Sequence, residues 1–317
     1  MITKDEAEKI IEKHFDVERL RKIIRNTSVV AWDKNVSEDT VDEWLENFSG
    51  KFFSSIENEK RLALWLLSHF TYYSYKDIRV LCKNLFNNIL HERLKFYDGT
   101  KTIEDVVKEL AEDTIYLGLG NNSESSHNIL YYFRQENRMS KDSFSIIEDK
   151  QYENLVFIDD VSISGSQALE YAKAMNNIKA NNKYAGFLIA TNSALTKIND
   201  PALGIKPITT MVLDDRDKAF STESYVFSDD KISDLRSIAK QFCELYGKIA
   251  VEDIDYMQIY PLGFADGEYL IGFQYNIPDN TLPIFWGNNR NWTPLFKRYN
   301  KIYGTGKENA LDGRKYY

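Results

Sequence analysis

The spacing of hydrophobic positions changes once along the chain. Up to residue 110 they recur at helical intervals between polar joints. Thr3 and Glu6 frame a capping box ahead of Ile10, Ile11, His14 and Phe15. Ser37 caps the stretch EDTVDEWLENF, and Leu62, Leu66 and Phe70 share one stripe of IENEKRLALWLLSHF. Ser74 and Asp77 open a helix through Val80, Leu81, Leu85 and Ile89, and TIEDVVKELAEDT adds another amphipathic helix. No catalytic residue types gather here, so the block reads as a helical subdomain used for packing or for a partner.

From Thr114 short apolar runs alternate with helical stretches. The runs are TIYLGLG, NLVFIDD, AGFLIATN and ITTMVLDD, with helical patterns at 125–137, 166–178 and 192–199 between them. Strands alternating with helices predict an α/β fold with a parallel sheet covered on both faces. Residues 229–249 add a helix with Ile232, Leu235, Ile238, Ala239 and Phe242 on one side. EYLIGFQYNIPDNTLPIFW is strand-like with a Pro/Asn turn, NNRNWTPLFKRYNKIY is dense in aromatics, and the tail after Tyr303 is polar. Three divisions follow: a helical part at 1–110, an α/β core at 111–250, and an aromatic-rich segment with its tail at 251–317.

Composition narrows the function classes. The 317 residues are 43% hydrophobic and 28% charged, as in ordinary globular proteins, and the 14% aromatics provide ample core bulk. A net charge of −8 lacks the basic footprint of a nonspecific nucleic-acid binder. Cys82 and Cys243 stand far apart, which suggests neither a disulfide framework nor a metal knuckle. The charged, amphipathic N-terminus carries no signal core, and no apolar run is long enough to cross a membrane. These features predict a cytoplasmic protein with no membrane partner.

The chemistry gathers at residues 155–167, LVFIDDVSISGSQ. Leu155 to Ile158 suit a central parallel strand, and Asp159 and Asp160 sit where it should end. Ligands in open α/β sheets bind outside the carboxyl ends of strands. Ser162, Ile163, Ser164, Gly165, Ser166 and Gln167 then form a small-residue loop running into a helix. Gly165 would let the backbone approach a ligand. Free N–H groups at the helix start, with the Ser164 and Ser166 hydroxyls, suit a phosphate dianion. The carboxylates would accept hydrogen bonds from sugar hydroxyls while the amides hold a phosphate at the sugar's other end. Adjacent acids do not match the one-residue separation of haloacid-type phosphatases, nor the acids on different strands of a receiver domain. Two plain loop acids remain the structural alternative.

The run resembles the type I phosphoribosyltransferase signature of four apolar residues, two acids and a small-residue loop closed by Ser/Thr-Gly. Ser162 replaces a usual aliphatic residue, Ile163 a small or hydroxyl residue, and Gln167 a threonine. The SGxQ ending, together with NIPDNTLPIFW and WTPLFKR, is closer to a divergent group: phosphoribosyltransferase-like proteins predicted in bacterial conflict (anti-phage) systems, some encoded beside reverse transcriptases. The resemblance implies the sheet and helices of that fold, a helical N-terminus and a C-terminal hood. It also implies 5-phosphoribosyl 1-pyrophosphate as ligand, with Mg2+ held mainly by the ligand's own oxygens.

Further roles come from the same resemblance. The loop after the first strand, GLGNNSESSH, would meet pyrophosphate through Ser125, Ser126 and Arg134, although a polar loop with surface arginines fits the sequence as well. Residues 136–152 would form a mobile lid or else a surface hairpin. Trp286, with Phe285 and Trp292, would stack on an acceptor or else fill a core. The acceptor is not legible. Three functional readings stay open: a transferase, an inactive phosphoribose or nucleotide sensor working through a protein partner, and, as the resemblance implies, a defence effector held inactive in a complex until infection.

Overall fold

The structure, a computed structural model, describes residues 2–95, 100–119, 125–145, 150–174 and 178–298. The N-terminal helices are α1 (Lys4–His14), α2 (Val17–Val30), α3 (Glu38–Leu45) and α4 (Ile56–Ser68). Their starts follow the sequence signals. Thr3 and Glu6 form the reciprocal capping box, and Ser37 accepts from the Thr40 N–H. A short strand β1 (Thr71–Tyr73) precedes α5 (Tyr75–Leu94), which Ser74 and Asp77 cap reciprocally, and α6 (Ile103–Glu112) follows.

The centre is a parallel four-stranded sheet, ordered β2 (Thr114–Gly118), β3 (Tyr152–Ser162), β4 (Ala180–Thr191) and β5 (Ile205–Leu213). Each apolar run predicted as a strand is one. Between them lie α7 (Ser125–Glu136), α8 (Ser166–Ala174) and α9 (Asn192–Ile198). Alternation along β3 sends Val156 and Ile158 into a core shared with α5 and α7, through Leu85, Ile129 and Phe133. Leu155 and Phe157 face the opposite core, with Ala168 of α8 and Ile198 of α9. Helices therefore cover both faces, and α7 and α8 leave adjacent strands β2 and β3 toward opposite sides. A crevice at the carboxyl edge opens where neighbouring connections diverge in this way.

The remaining elements are α10 (Leu235–Ala250) and a short strand β6 (Ile271–Phe273), which pairs parallel with β1 in its own two-stranded sheet. This pairing joins segments about 200 residues apart and was not legible in three-residue strands. The cores also cut across the three sequence divisions. One cluster unites Trp32, Trp44, Phe48 and Leu66 with Phe242, Tyr246, Phe285, Trp286 and Trp292. Meanwhile α5 and α6, from the first hundred or so residues, pack on the sheet. Amphipathic helices show that a face must be buried but not against what, so linear boundaries fail here.

Candidate functional site

The acid pair lies inside β3 rather than beyond it. β2 stops at the Gly118–Ile158 pair, whereas β3 continues beside β4 through Asp159–Phe187 and Ser162–Ala190. Asp159 and Asp160 thus emerge where the sheet loses one neighbour. Both are only 7% exposed. The Asp160 N–H donates to Asp159 Oδ1 at 3.0 Å, and the Val161 N–H to Asp160 Oδ1 at 2.8 Å. The second oxygen of Asp160 accepts from the Tyr275 hydroxyl at 3.0 Å. Burial, then the charge of Asp160, raise that phenol well above its ordinary range, so it remains a donor at neutral pH.

Past the acids, Ser162 is buried in the strand, not in the loop. The Ile163 carbonyl accepts from Thr191 Oγ1 at 2.7 Å, and Thr191 also caps α9 through the Ala194 N–H. Ser164 and Ser166 are exposed, and the Gly165 carbonyl takes the first helical bond of α8, from Leu169. The N–H groups of the first turn of α8 are those a helix cannot satisfy internally. Gly165 has φ +69°, and a Cβ there would sit 3.1 Å from the Ala194 carbonyl oxygen. α9 packing against the loop by itself requires the glycine. That packing delivers a residue the sequence reading missed. Lys197 Nζ lies 2.8 Å from Ser166 Oγ and 3.4 Å from the Ser164 carbonyl. Its only sequence signal was a cation in the next βα unit.

Other expectations fare differently. Ser125 and Ser126 open α7 at the same edge, but their side chains and loop 120–124 lie outside the described residues, as do residues 146–149 of the expected lid. Arg134 is not at this edge. Nine residues into α7 puts it about 13 Å down the helix axis, toward the sheet's other end. Trp286 is corrected as well. It is 1% exposed, its indole N–H donates to the Thr281 carbonyl at 2.8 Å, and Arg298 covers its ring at 5.0 Å. Phe285 stacks on Trp44 at 5.4 Å. These rings fill a core and offer no platform. Among the described residues, the C-terminal segment reaches Asp160 through Tyr275.

Beyond β5, Asp214 pairs with Arg216 and Asp215 with Lys218. Among the described residues no three His, Cys, Asp or Glu side chains are grouped to hold a metal ion. No helix is long and apolar enough to cross a membrane, again among the described residues. Cavities of about 270 and 300 Å³ lie among the N-terminal helices, the second also against Asp229, Lys231 and Ile232, and neither is lined by the acids.

A parallel α/β sheet with an acid pair and a small-residue loop leading into a helix defines a phosphoribosyltransferase-like class of protein. The family model PRTase-CE matches residues 41–298, and the chain belongs to this phosphoribosyltransferase-like family. No curated protein matches the chain. Three solved phosphoribosyltransferases are similar at low identity. Orotate phosphoribosyltransferase from Aeropyrum pernix is 13% identical over 44% of this chain and 72% of its own, with a TM-score of 0.29. The orotate enzyme of Mycobacterium tuberculosis H37Rv, in complex with 5-phospho-alpha-D-ribosyl 1-diphosphate, is 10% identical over 55% and 96%, at 0.27. Adenine phosphoribosyltransferase from Trypanosoma brucei, with AMP, pyrophosphate and ribose-5-phosphate, is 12% identical over 56% and 81%, at 0.28. The assignment rests on the family match and on the sheet's own topology, not on these superpositions.

Proposed function

We propose that this phosphoribosyltransferase-like protein binds 5-phosphoribosyl 1-pyrophosphate, or a related ribose 5-phosphate, at the carboxyl edge of β3. The observation carrying this reading is one strand that runs from two buried carboxylates into a loop whose helix start and hydroxyls face outward. Asp159 and Asp160 would accept from ribose hydroxyls and stabilise positive charge developing at C1. The loop from Ser164 to Gln167, with the α8 N-terminus, would hold the 5′-phosphate. In transfer, the acceptor's nucleophilic atom bonds to C1 as the C1–oxygen bond to pyrophosphate breaks, and pyrophosphate leaves with the electron pair. Two carboxylates are hard oxygen donors suited to Mg2+, and the ion would complete its shell with oxygens of the ligand. Ser125 and Ser126 remain the proposed pyrophosphate contacts.

A sensor that binds without turnover is the second reading, favoured by the Tyr275 hydroxyl already seated on Asp160. The effector role in an anti-phage complex with protein partners is proposed on sequence resemblance alone. Calorimetric titration with 5-phosphoribosyl 1-pyrophosphate and Mg2+, following pyrophosphate release in the same samples, tests the reading. Binding with release establishes a transferase or hydrolase. Binding without release supports the sensor. An absence of binding at millimolar ligand, by wild type and by Tyr275→Phe, removes both.

A further inference from the structure

We propose that Tyr275 gates the sugar site: its hydroxyl occupies Asp160 in place of a ribose hydroxyl, and a ligand must displace it to bind. This rests on the reading of the acid pair given above. A phenol and a sugar hydroxyl are the same kind of donor to a carboxylate. With Val161 N–H on one oxygen and Tyr275 on the other, each oxygen of Asp160 is already engaged. Asp160 thus already accepts one hydrogen bond on each oxygen, and a ligand hydroxyl competes with the phenol for Oδ2.

The geometry around Tyr275 suits a residue that is held but can be released. It sits on a two-residue turn closed by Phe273 N–H to Asn276 O at 2.9 Å and Asn276 N–H to Phe273 O at 3.1 Å. The turn is tied to β1 by the Gln274 N–H, which donates to the Tyr73 carbonyl at 3.0 Å. Three rings stack in sequence: Tyr73 on Phe273 at 5.2 Å, and Phe273 on Tyr275 at 5.7 Å. Tyr73 in turn donates to Met211 Sδ on β5. Segments far apart in the chain therefore aim one hydroxyl at an acid on the central sheet. Beside Tyr275, the buried Gln274 Oε1 has no partner among the described residues. The turn is not saturated with hydrogen bonds where it stands, which eases a change of position.

The apparent affinity of a site that is open only part of the time falls by the open fraction. Removing the hydroxyl while keeping the ring should raise that fraction. The test titrates wild type, Tyr275→Phe and Tyr275→Leu with ribose 5-phosphate, and with 5-phosphoribosyl 1-pyrophosphate plus Mg2+. About tenfold tighter binding by Tyr275→Phe is expected, equal to about 1.4 kcal/mol. A second readout needs no variant to fold. In wild type labelled with 13C at tyrosine Cζ, one signal should shift as ribose 5-phosphate saturates. Where wild type binds, an affinity that Tyr275→Phe leaves unchanged or weakens, or a titration that moves no tyrosine signal, overturns the gate and leaves the phosphoribose site standing. Binding by Tyr275→Phe alone supports the gate in its strongest form. If no protein binds either ligand, the site reading itself falls, and the gate with it.

Discussion

Acidic residues lie at both ends of the central sheet, and their surroundings differ. At the amino end, Glu109 of α6 is 7% exposed and meets Arg93 at 2.9 Å, Lys101 at 2.6 Å and the buried Asn154 at 3.1 Å. Arg93 also reaches Glu153 at 3.1 Å, and Asn181 and Asn182 bond the same carboxylate. At the carboxyl end, Asp160 is met by the Val161 N–H and a neutral phenol. One cluster is closed on itself with opposite charges. The other holds its carboxylate with neutral donors that a ligand hydroxyl can replace. Burial and residue type are alike in these two clusters, and the charge of the partners is what differs between them.

Breaking the closed end should give the largest effect. Glu109→Ala strips Arg93 of its nearest carboxylate in a half-dry setting and should cost about 3 kcal/mol of stability. Denaturant titration measures this, and ligand affinity should not move. The pH dependence has a definite sign. Burial alone would raise the Glu109 pKa, but its bonds to Lys101, Arg93 and Asn154 outweigh it and hold the pKa below the ordinary glutamate value of 4.5. A folded pKa below the unfolded one gives stability that is present above 4.5 and lost as pH falls through the folded value. Wild type should therefore lose more stability than Glu109→Ala over that acid range. Equal acid sensitivity would mean the cluster is no more than a solvated patch.

The matching change at the open end should have the opposite character. Asp159→Asn with Asp160→Asn should weaken ribose 5-phosphate binding at least about 100-fold, or about 2.7 kcal/mol. Stability should shift by no more than about 1 kcal/mol, since each amide keeps an oxygen for the backbone N–H groups. Large unfolding with affinity retained would make the pair structural and erase the contrast between the two ends.

How much of this was legible follows from what each signal encodes. Period and turn residues located all four strands of the main sheet and the acid–loop run, because a buried parallel strand, a small-residue loop and a helix start each leave a local mark. Axial position and packing partners leave none. Arg134 was chosen for its charge, yet nine residues along α7 carry it away from the edge. Trp286 looked like a platform because aromatics suit both stacking and cores, and only the fold shows it sealed against Thr281 and Arg298. Tyr275 went unseen for the converse reason. Its meaning depends on a contact 115 residues away, made through a β1–β6 pairing of three residues each.

Gly165 tests the loop between these extremes. With φ +69° and Ala194 immediately beyond the missing Cβ, Gly165→Val combines backbone strain with a push on α9. A loss of about 2 kcal/mol is expected, with ribose 5-phosphate affinity falling alongside it. Here stability and binding should fall together, unlike either acid cluster, because one backbone position serves both. Intact stability with binding lost would instead place the missing Cβ against the ligand.

The smallest effect sharpens the comparison most, since Lys197 is a cation at the open end that pairs with hydroxyl and carbonyl oxygens instead of a carboxylate. An exposed ammonium there adds little to stability, so Lys197→Met should leave the melting curve in place. If its charge serves an anion on the loop, affinity for ribose 5-phosphate should drop about fivefold, or about 1 kcal/mol. The loss should shrink as salt rises, because the lysine is exposed and its field is screened within about 10 Å at 0.1 M. Lys197→Arg should recover most of the affinity, the charge being kept. Ribose without its phosphate should bind both variants as it binds wild type. A drop that persists at high salt, or that extends to plain ribose, would show that Lys197 shapes the loop through Ser166 and contributes no charge to the phosphate.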